Sequence, residues 1–200
     1  FPEETYGIFV NLEGKRFVDE SCPIDAKYPR IPQTIVKQKR GMVLMVADQV
    51  IYDEAAGSEV ILKAFEAQGG KYYKGETLDE LGQQLFEAYG VYKETFVKTI
   101  TDYNKAIDNN AAHKLDVPRV DRHFKIATGP FYAVPTGVTA YHTFGGVAIN
   151  ENAQVLDVQR QPIPNLYATP PCAGIFREVY TGGIASAGTF GYIAGKIASK

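Results

Sequence analysis

Cysteine is nearly absent from this chain of 200 residues. Cys22 and Cys172 are too few and too far apart for a disulfide framework or a closed zinc site. Histidine occurs only at His113, His123 and His142. With no His-x-x-x-His or Cys-x-x-Cys spacing, no metal site is expected. An excess of one charge is missing as well: 21 basic and 23 acidic residues leave a formal net charge of −2. The basic residues are scattered singly, whereas phosphate-neutralising proteins gather Lys and Arg on one face, so nucleic acid is not expected as a partner. No apolar run approaches the roughly 20 residues of a membrane span. The longest, residues 42–47, has the length of a buried strand. No basic and apolar leader follows Phe1, and the lack of an initiating Met fits a processed or excised segment.

What is present is ordinary globular material: 45% apolar and 22% charged residues, the usage of a chain that folds around its own core. At this length roughly 70% of the surface exposed by the unfolded chain can be buried without cross-links. One large domain or two small ones are expected.

Gly7-Ile-Phe-Val-Asn11 reads as a short strand ending at a Glu13-Gly14 turn, and Arg16-Phe-Val resumes extended chain. Pro23, Pro29 and Pro32 predict a loop over residues 21–32, followed by one or two helical turns over 33–40. Residues 42–47 predict a central strand, and 58–68 a helix closed by Gly69-Gly70. Thr77-Leu-Asp-Glu80 has the form of a capping box, in which the Thr hydroxyl and the Glu carboxylate satisfy two backbone N–H groups reciprocally. It predicts a helix through Tyr89. Phe96, Ile100, Tyr103 and Ile107 recur at steps of 4, 3 and 4 and mark the apolar face of a second helix. Residues 109–118 are polar and predict a loop. From Gly129-Pro130 onwards, short strand-like runs alternate with turn residues, and a glycine-rich segment, 182–195, leads into a helix-compatible tail. The class is α+β: a unit over about residues 12–128, then a β-rich remainder closed by a terminal helix.

Three features carry candidate chemistry. His142 sits in Tyr141-His-Thr-Phe-Gly-Gly146, where Thr143 adds a hydroxyl and Gly145 and Gly146 allow close approach of backbone to a ligand. Imidazole binds anions and exchanges protons near neutral pH; the same residues also suit a strand end with a glycine turn. Gly182-Gly183-Ile-Ala185 opens the terminal helix, whose first N–H groups can receive an oxyanion or a carbonyl oxygen. Glycine for tight helix packing is the other use of that pattern. Tyr28, Tyr141 and Tyr180 can donate protons if placed over a substrate, although among 13 tyrosines packing is the common role. His113 and His123 lie in polar surroundings and predict surface positions.

The order of these motifs resembles the fumarate reductase and succinate dehydrogenase-like FAD-binding flavoproteins, which include flavocytochrome c fumarate reductases and 3-ketosteroid dehydrogenases. The run from Gly7 to Glu20 is similar to their "GhhVNxxGxRFxxE" entry to a capping domain. Residues 77–80 and the Asp102-Tyr-Asn104 ending are similar to that cap, and Gly129-Pro-Phe-Tyr-Ala-Val134 to the return from it. Tyr141 to Asn150 resembles "HTxGGhxIN", Pro162 to Ala168 resembles "PIPGLYAAGE", and Gly191-Tyr-Ile-Ala-Gly195 resembles the terminal helix.

The resemblance implies residues 1–11 as the end of a flavin-domain segment, 12–128 as the substrate-capping domain and 129–200 as the C-terminal portion of the FAD-binding domain. It implies FAD as cofactor in the whole protein, bound mainly by an N-terminal dinucleotide fold absent from this chain, which alone is not expected to retain FAD. Hydride would pass between flavin N5 and a substrate carbon, and a side chain would exchange the matching proton. His142 and Thr143 inherit substrate binding. Gly145, Gly146 and the backbone of Gly182, Gly183, Ile184 and Ala185 inherit contact with the cofactor, whose reduced form is negatively charged. Partners implied are a small-molecule substrate, the missing N-terminal FAD-binding segment and an electron-donor domain or protein.

Departures from the pattern shape the substrate expectation. Ile24 stands where the family places a proton-donating Arg or Tyr, which leaves Tyr28, Arg30 or Tyr180 to serve. Thr169-Pro-Pro171 replaces "AGE", removing a glutamate and backbone donors. Arg177 falls too early for the substrate-binding Arg, and Tyr180-Thr-Gly-Gly183 is closer to the ketosteroid-type members. Fumarate itself is not the expected substrate; an unsaturated acid or enone is. The alternative is a catalytically degenerate member that binds a small molecule or a partner.

Overall fold

The computed structural model describes residues 6–21, 24–55, 58–138, 145–175 and 182–199, without the side chains of 24–29 and 58, and the chain divides into two units, Phe1–Val138 and Thr139–Lys200. In the first, β2 (Met42–Asp48) is apolar without alternation, the pattern of a strand covered on both faces. It lies between β1 (Ile8–Val10) and β4 (Phe131–Gly137), and β3 (Tyr73–Gly75) pairs with β4. All pairings are antiparallel, with Ile8 opposite Val46 and Met45 opposite Val134. The helices are α1 (Ile24–Val36), α2 (Gln49–Glu54), α3 (Ser58–Ala67), α4 (Leu78–Tyr89) and α5 (Lys93–Asp108).

Successive strand side chains point to opposite faces, so this sheet has two cores. Ile8, Val10, Leu44, Val46 and Ala133 pack in one with Leu81 and Leu85 of α4 and Phe96, Ile100 and Tyr103 of α5. Phe9, Val43, Met45 and Val134 pack in the other with Ile31 and Ile35 of α1 and Leu62 of α3.

Local signals set the boundaries of α4 and α5. The Thr77 hydroxyl accepts from Glu80 N–H at 3.1 Å, Glu80 accepts from Thr77 N–H at 3.3 Å, and Gly90 ends α4 in the left-handed region at φ 73°. The stripe Phe96, Ile100, Tyr103 is buried along α5. Gly14 has φ +76°, and a Cβ on it would lie 2.6 Å from the Phe96 nitrogen. The turn between β1 and Arg16 therefore rests on the first turn of α5, at a distance only glycine permits.

The segment predicted as a loop over 21–32 is instead largely helical. α1 runs through Pro29 and Pro32 to Val36, and a single 3-10 turn follows at Lys39–Gly41. Ile31 and Ile35, one turn apart, are buried under the sheet. Each such burial stabilises by roughly 1.5–3 kcal/mol, comparable to the roughly 3 kcal/mol that an interior proline costs. Tertiary burial overrides the local break.

The long crossing from α5 to β4 has no regular structure beyond a 3-10 turn at Ala112–Lys114, and side chains hold it. Arg119, fully buried, donates to Glu20 (3.1 Å) and to the carbonyls of Gly7, Asp121 and Arg122. Glu20 also accepts from Phe9 N–H (2.8 Å) and from Arg16 (2.6 Å). Asn104 pairs with both N–H and C=O of Ile126, and Tyr103 Oη donates to Phe124 O. Asp48 caps α2 through Ile51 N–H and accepts from Ala127 and Thr128 N–H.

In the second unit β5 (Gln154–Leu156) and β6 (Pro162–Tyr167) form an antiparallel pair. A parallel bridge joins Val147 to Ala173 and an antiparallel one joins Ile149 to Val155. The helix α6 (Gly183–Ala198) begins inside the glycine-rich segment. The sheet of the first unit includes residues 8–10 and 131–137; the assignment of 12–128 to a cap in a larger protein is a proposal.

Two substitutions test this packing by thermal or denaturant unfolding. Glu20→Ala leaves buried guanidinium charge without its carboxylate and should cost about 3–5 kcal/mol. Gly14→Ala meets the α5 backbone and an unfavourable φ together and should cost about 2 kcal/mol or more; a change below about 0.5 kcal/mol would contradict the contact.

Candidate functional site

The second unit presents two backbone features where ligand contact was expected. At the first, Gly145 and Gly146 lead into the bridge to Ala173. Val147 N–H donates to Cys172 O (3.1 Å) and Gly174 N–H donates to Val147 O (3.1 Å). A Cβ on Gly146 would lie 2.1 Å from that Cys172 carbonyl oxygen, whereas one on Gly145 would meet nothing within 4 Å. The two glycines thus differ: Gly146 is required by the close strand contact, and Gly145 leaves open space. Cys172 itself is an exposed free thiol.

The second feature is the start of α6. Gly182 is in the left-handed region (φ 68°) and caps without a side-chain hydrogen bond. Ser186 N–H is the first to close onto Gly182 O, at 2.8 Å. The N–H groups of Gly183, Ile184 and Ala185 therefore precede the helical ladder, as at any helix start. Nothing lies within 4 Å of a Cβ built on Gly182, and the Ile184 side chain is 91% exposed. Gly183 is buried, whereas Gly182, Ile184 and Ala185 are exposed. Exposed N–H groups at the positive end of a sixteen-residue helix suit a negatively charged group, so Ile184 and Ala185 fit the electron-rich edge of a reduced flavin.

Less is described of the side chains expected to bind substrate or move protons. His142, Thr143 and Tyr180 lie outside the described residues. Tyr28 is on α1, not on a loop, and its side chain is outside the description; Arg30, also on α1, is exposed. His113 and His123 are exposed, and His123 Nε2 lies 2.9 Å from Arg119 O.

Several described tyrosines are engaged in packing. Tyr52 stacks on Tyr132 at 4.6 Å, Tyr73 meets Tyr89 edge-on at 5.6 Å, and Tyr103 lies under Arg16 at 5.0 Å. Burial raises the phenol pKa of Tyr103, and burial with the Tyr73 hydrogen bond pushes Tyr89 up to about 12. Such phenols stay protonated across the physiological range. Among the described residues no cluster of His, Cys, Asp and Glu could hold a metal ion, and no helix is long and apolar enough to cross a membrane.

Arg119 and Asp48 escaped the reading of the sequence. Arg119 follows Pro118 in a polar stretch, and Asp48 ends an apolar run, so neither carries a periodic signal. Both organise the first unit and have no assigned contact with a ligand.

Comparison with known proteins adds what the geometry alone does not. A family model described as FAD binding domain matches residues 4–186. The chain is 31% identical over 196 residues to a probable fumarate reductase, Ifc3, of Shewanella frigidimarina (strain NCIMB 400), covering 96% of this chain and 31% of that protein. It is 31% identical over 201 residues to the NADH:acrylate oxidoreductase of Vibrio harveyi, covering 99% and 19%. The open conformation of a flavocytochrome c3 fumarate reductase superposes with a TM-score of 0.74 at 28% identity, over 99% of this chain and 33% of that one. The chain thus spans about a third or less of the length of these relatives.

The two glycines offer a paired test. Gly146→Ala should break the link to Cys172 and raise amide hydrogen exchange at Val147 and Gly174 by about tenfold or more, while Gly145→Ala leaves both unchanged. Equal behaviour of the two variants would contradict the contact described.

Proposed function

Because the chain belongs to the FAD binding domain family, we propose that it is the C-terminal part of a longer FAD-dependent oxidoreductase acting on an activated carbon–carbon double bond. The observation that carries this reading is the exposed backbone at the start of α6, at Gly182, Ile184 and Ala185, in a chain that matches the family along nearly its whole length. The relatives named for fumarate and acrylate act on unsaturated acids by those names, which supports the same substrate class here, or an enone.

FAD, when bound, supplies the hydride chemistry. The residues of this chain have three tasks. The N–H groups of Gly183, Ile184 and Ala185 would hold the cofactor's polar edge. His142 pairs with a substrate carboxylate or carbonyl, and the Thr143 hydroxyl adds a directional hydrogen bond. This contact orients the double bond and draws electron density towards the activating group. The phenolic Oη of Tyr180 or Tyr28 holds the proton delivered to the second carbon. Ile24, at the place where the resemblance put a proton-donating Arg or Tyr, cannot exchange a proton itself, so that task is proposed for one of these phenols. The residues that bind the adenosine diphosphate portion belong to the N-terminal segment proposed to complete the protein, so the 200-residue chain alone does not retain FAD.

The whole protein should be yellow and should bleach on reduction; a protein that stays colourless after FAD addition contradicts the proposal. In that protein, His142→Ala should lower kcat/KM for an unsaturated acid by about tenfold or more, with the visible flavin spectrum unchanged. Unaltered kinetics would remove His142 from the site. Stoichiometric flavin on the isolated chain after gel filtration would contradict the division of binding between the two segments.

A further inference from the structure

A cavity of about 440 Å³ opens in the first unit between the turn before Arg16, one side of α5 and residues 114–117. None of the residues assigned above to substrate or cofactor lines it. Its volume lies within the range of small-molecule sites. Two walls come from different elements, Lys15 from the turn and Lys114 from the 3-10 segment, and α5 contributes Thr95 and Thr99 one turn apart.

The charges on this lining are distributed unevenly. Arg16 also lines the cavity, with a side chain only 5% exposed. Its guanidinium is fixed by Glu20, by the Val117 carbonyl (2.7 Å) and by the Tyr103 ring (5.0 Å). Lys98 is paired with Asp102. The ammonium groups of Lys15 and Lys114 have no hydrogen-bond or ion-pair partner among the described residues, and neither do the hydroxyls of Thr95 and Thr99. Asp116 is the only lining carboxylate left unpaired there. Two unpaired ammonium groups against one carboxylate leave a positive excess, which selects an anion over a cation.

We propose that this cavity is an accessory oxyanion site, which takes a phosphate or carboxylate group carried by a small polar molecule. Lys15 and Lys114 supply the charge and the two threonine hydroxyls supply directional donors. The fixed guanidinium of Arg16 gives the cavity a preformed wall, so binding orders only the two flexible lysines. The two lysines are exposed, so affinity is modest and falls as salt rises.

The test is a backbone-amide NMR titration of the 200-residue chain with inorganic phosphate and, separately, with succinate, at ionic strength held constant with chloride. The proposal predicts saturable shifts centred on Lys15, Thr95, Thr99 and Lys114 with at least one of the two anions, and the anion that saturates identifies the source class. The double variant K15Q/K114Q should weaken that binding at least tenfold without a change in Tm. Shifts no larger than those caused by chloride, or binding unaffected by the double variant, would overturn it.

Discussion

The carboxylate of Glu20 is the point on which the first unit closes. It is fully buried and receives hydrogen bonds from Phe9 N–H, Arg16 and Arg119. These donors come from the first strand, the turn after it and the long crossing about a hundred residues later. A buried ion pair is weak support for stability when compared with an apolar substitute, but removing one member leaves charge stranded in a low-dielectric interior. The network ties the crossing to the first strand and to the turn after it.

Around this point the sheet separates two cores, and the same strand alternation feeds both. Asp48 and Asn104 continue the work of Glu20 along the crossing, each satisfying backbone groups that no strand or helix would otherwise pair. In the second unit the 145–147 segment is held to 172–174 by two backbone hydrogen bonds and a close glycine contact. The start of α6 is left open.

Much of this was legible in the residues. The capping box at Thr77, the stripe on α5 and the apolar run of β2 are periodic or local signals, and each lies where the sequence places it. Asn165 stands where the resembling motif has glycine, and it adopts φ 61°, a conformation Asn tolerates better than other side chains. The run Arg16 to Glu20 and the Asp102-Tyr-Asn104 ending were visible as motifs, though their physical roles, a buried ion pair and a staple to residues 124–126, emerge only in three dimensions. The helix through Pro29 and Pro32 was not legible, because its cause is burial of Ile31 and Ile35 against a sheet distant in sequence. Arg119 gave no signal for the same reason: its carboxylate partner is Glu20, and it also reaches the Gly7 carbonyl, both about a hundred residues away.

The account's central claim is that the whole protein delivers a hydride and a proton to a double bond conjugated to an acid or ketone. Anaerobic mixing of the fully reduced protein with an unsaturated acid such as acrylate, or with an enone, addresses it directly. The account predicts that the visible flavin absorbance returns in a single turnover, with one saturated product formed per flavin. Flavin that stays reduced in the presence of every such acceptor, while oxygen still reoxidises it, would contradict the claim.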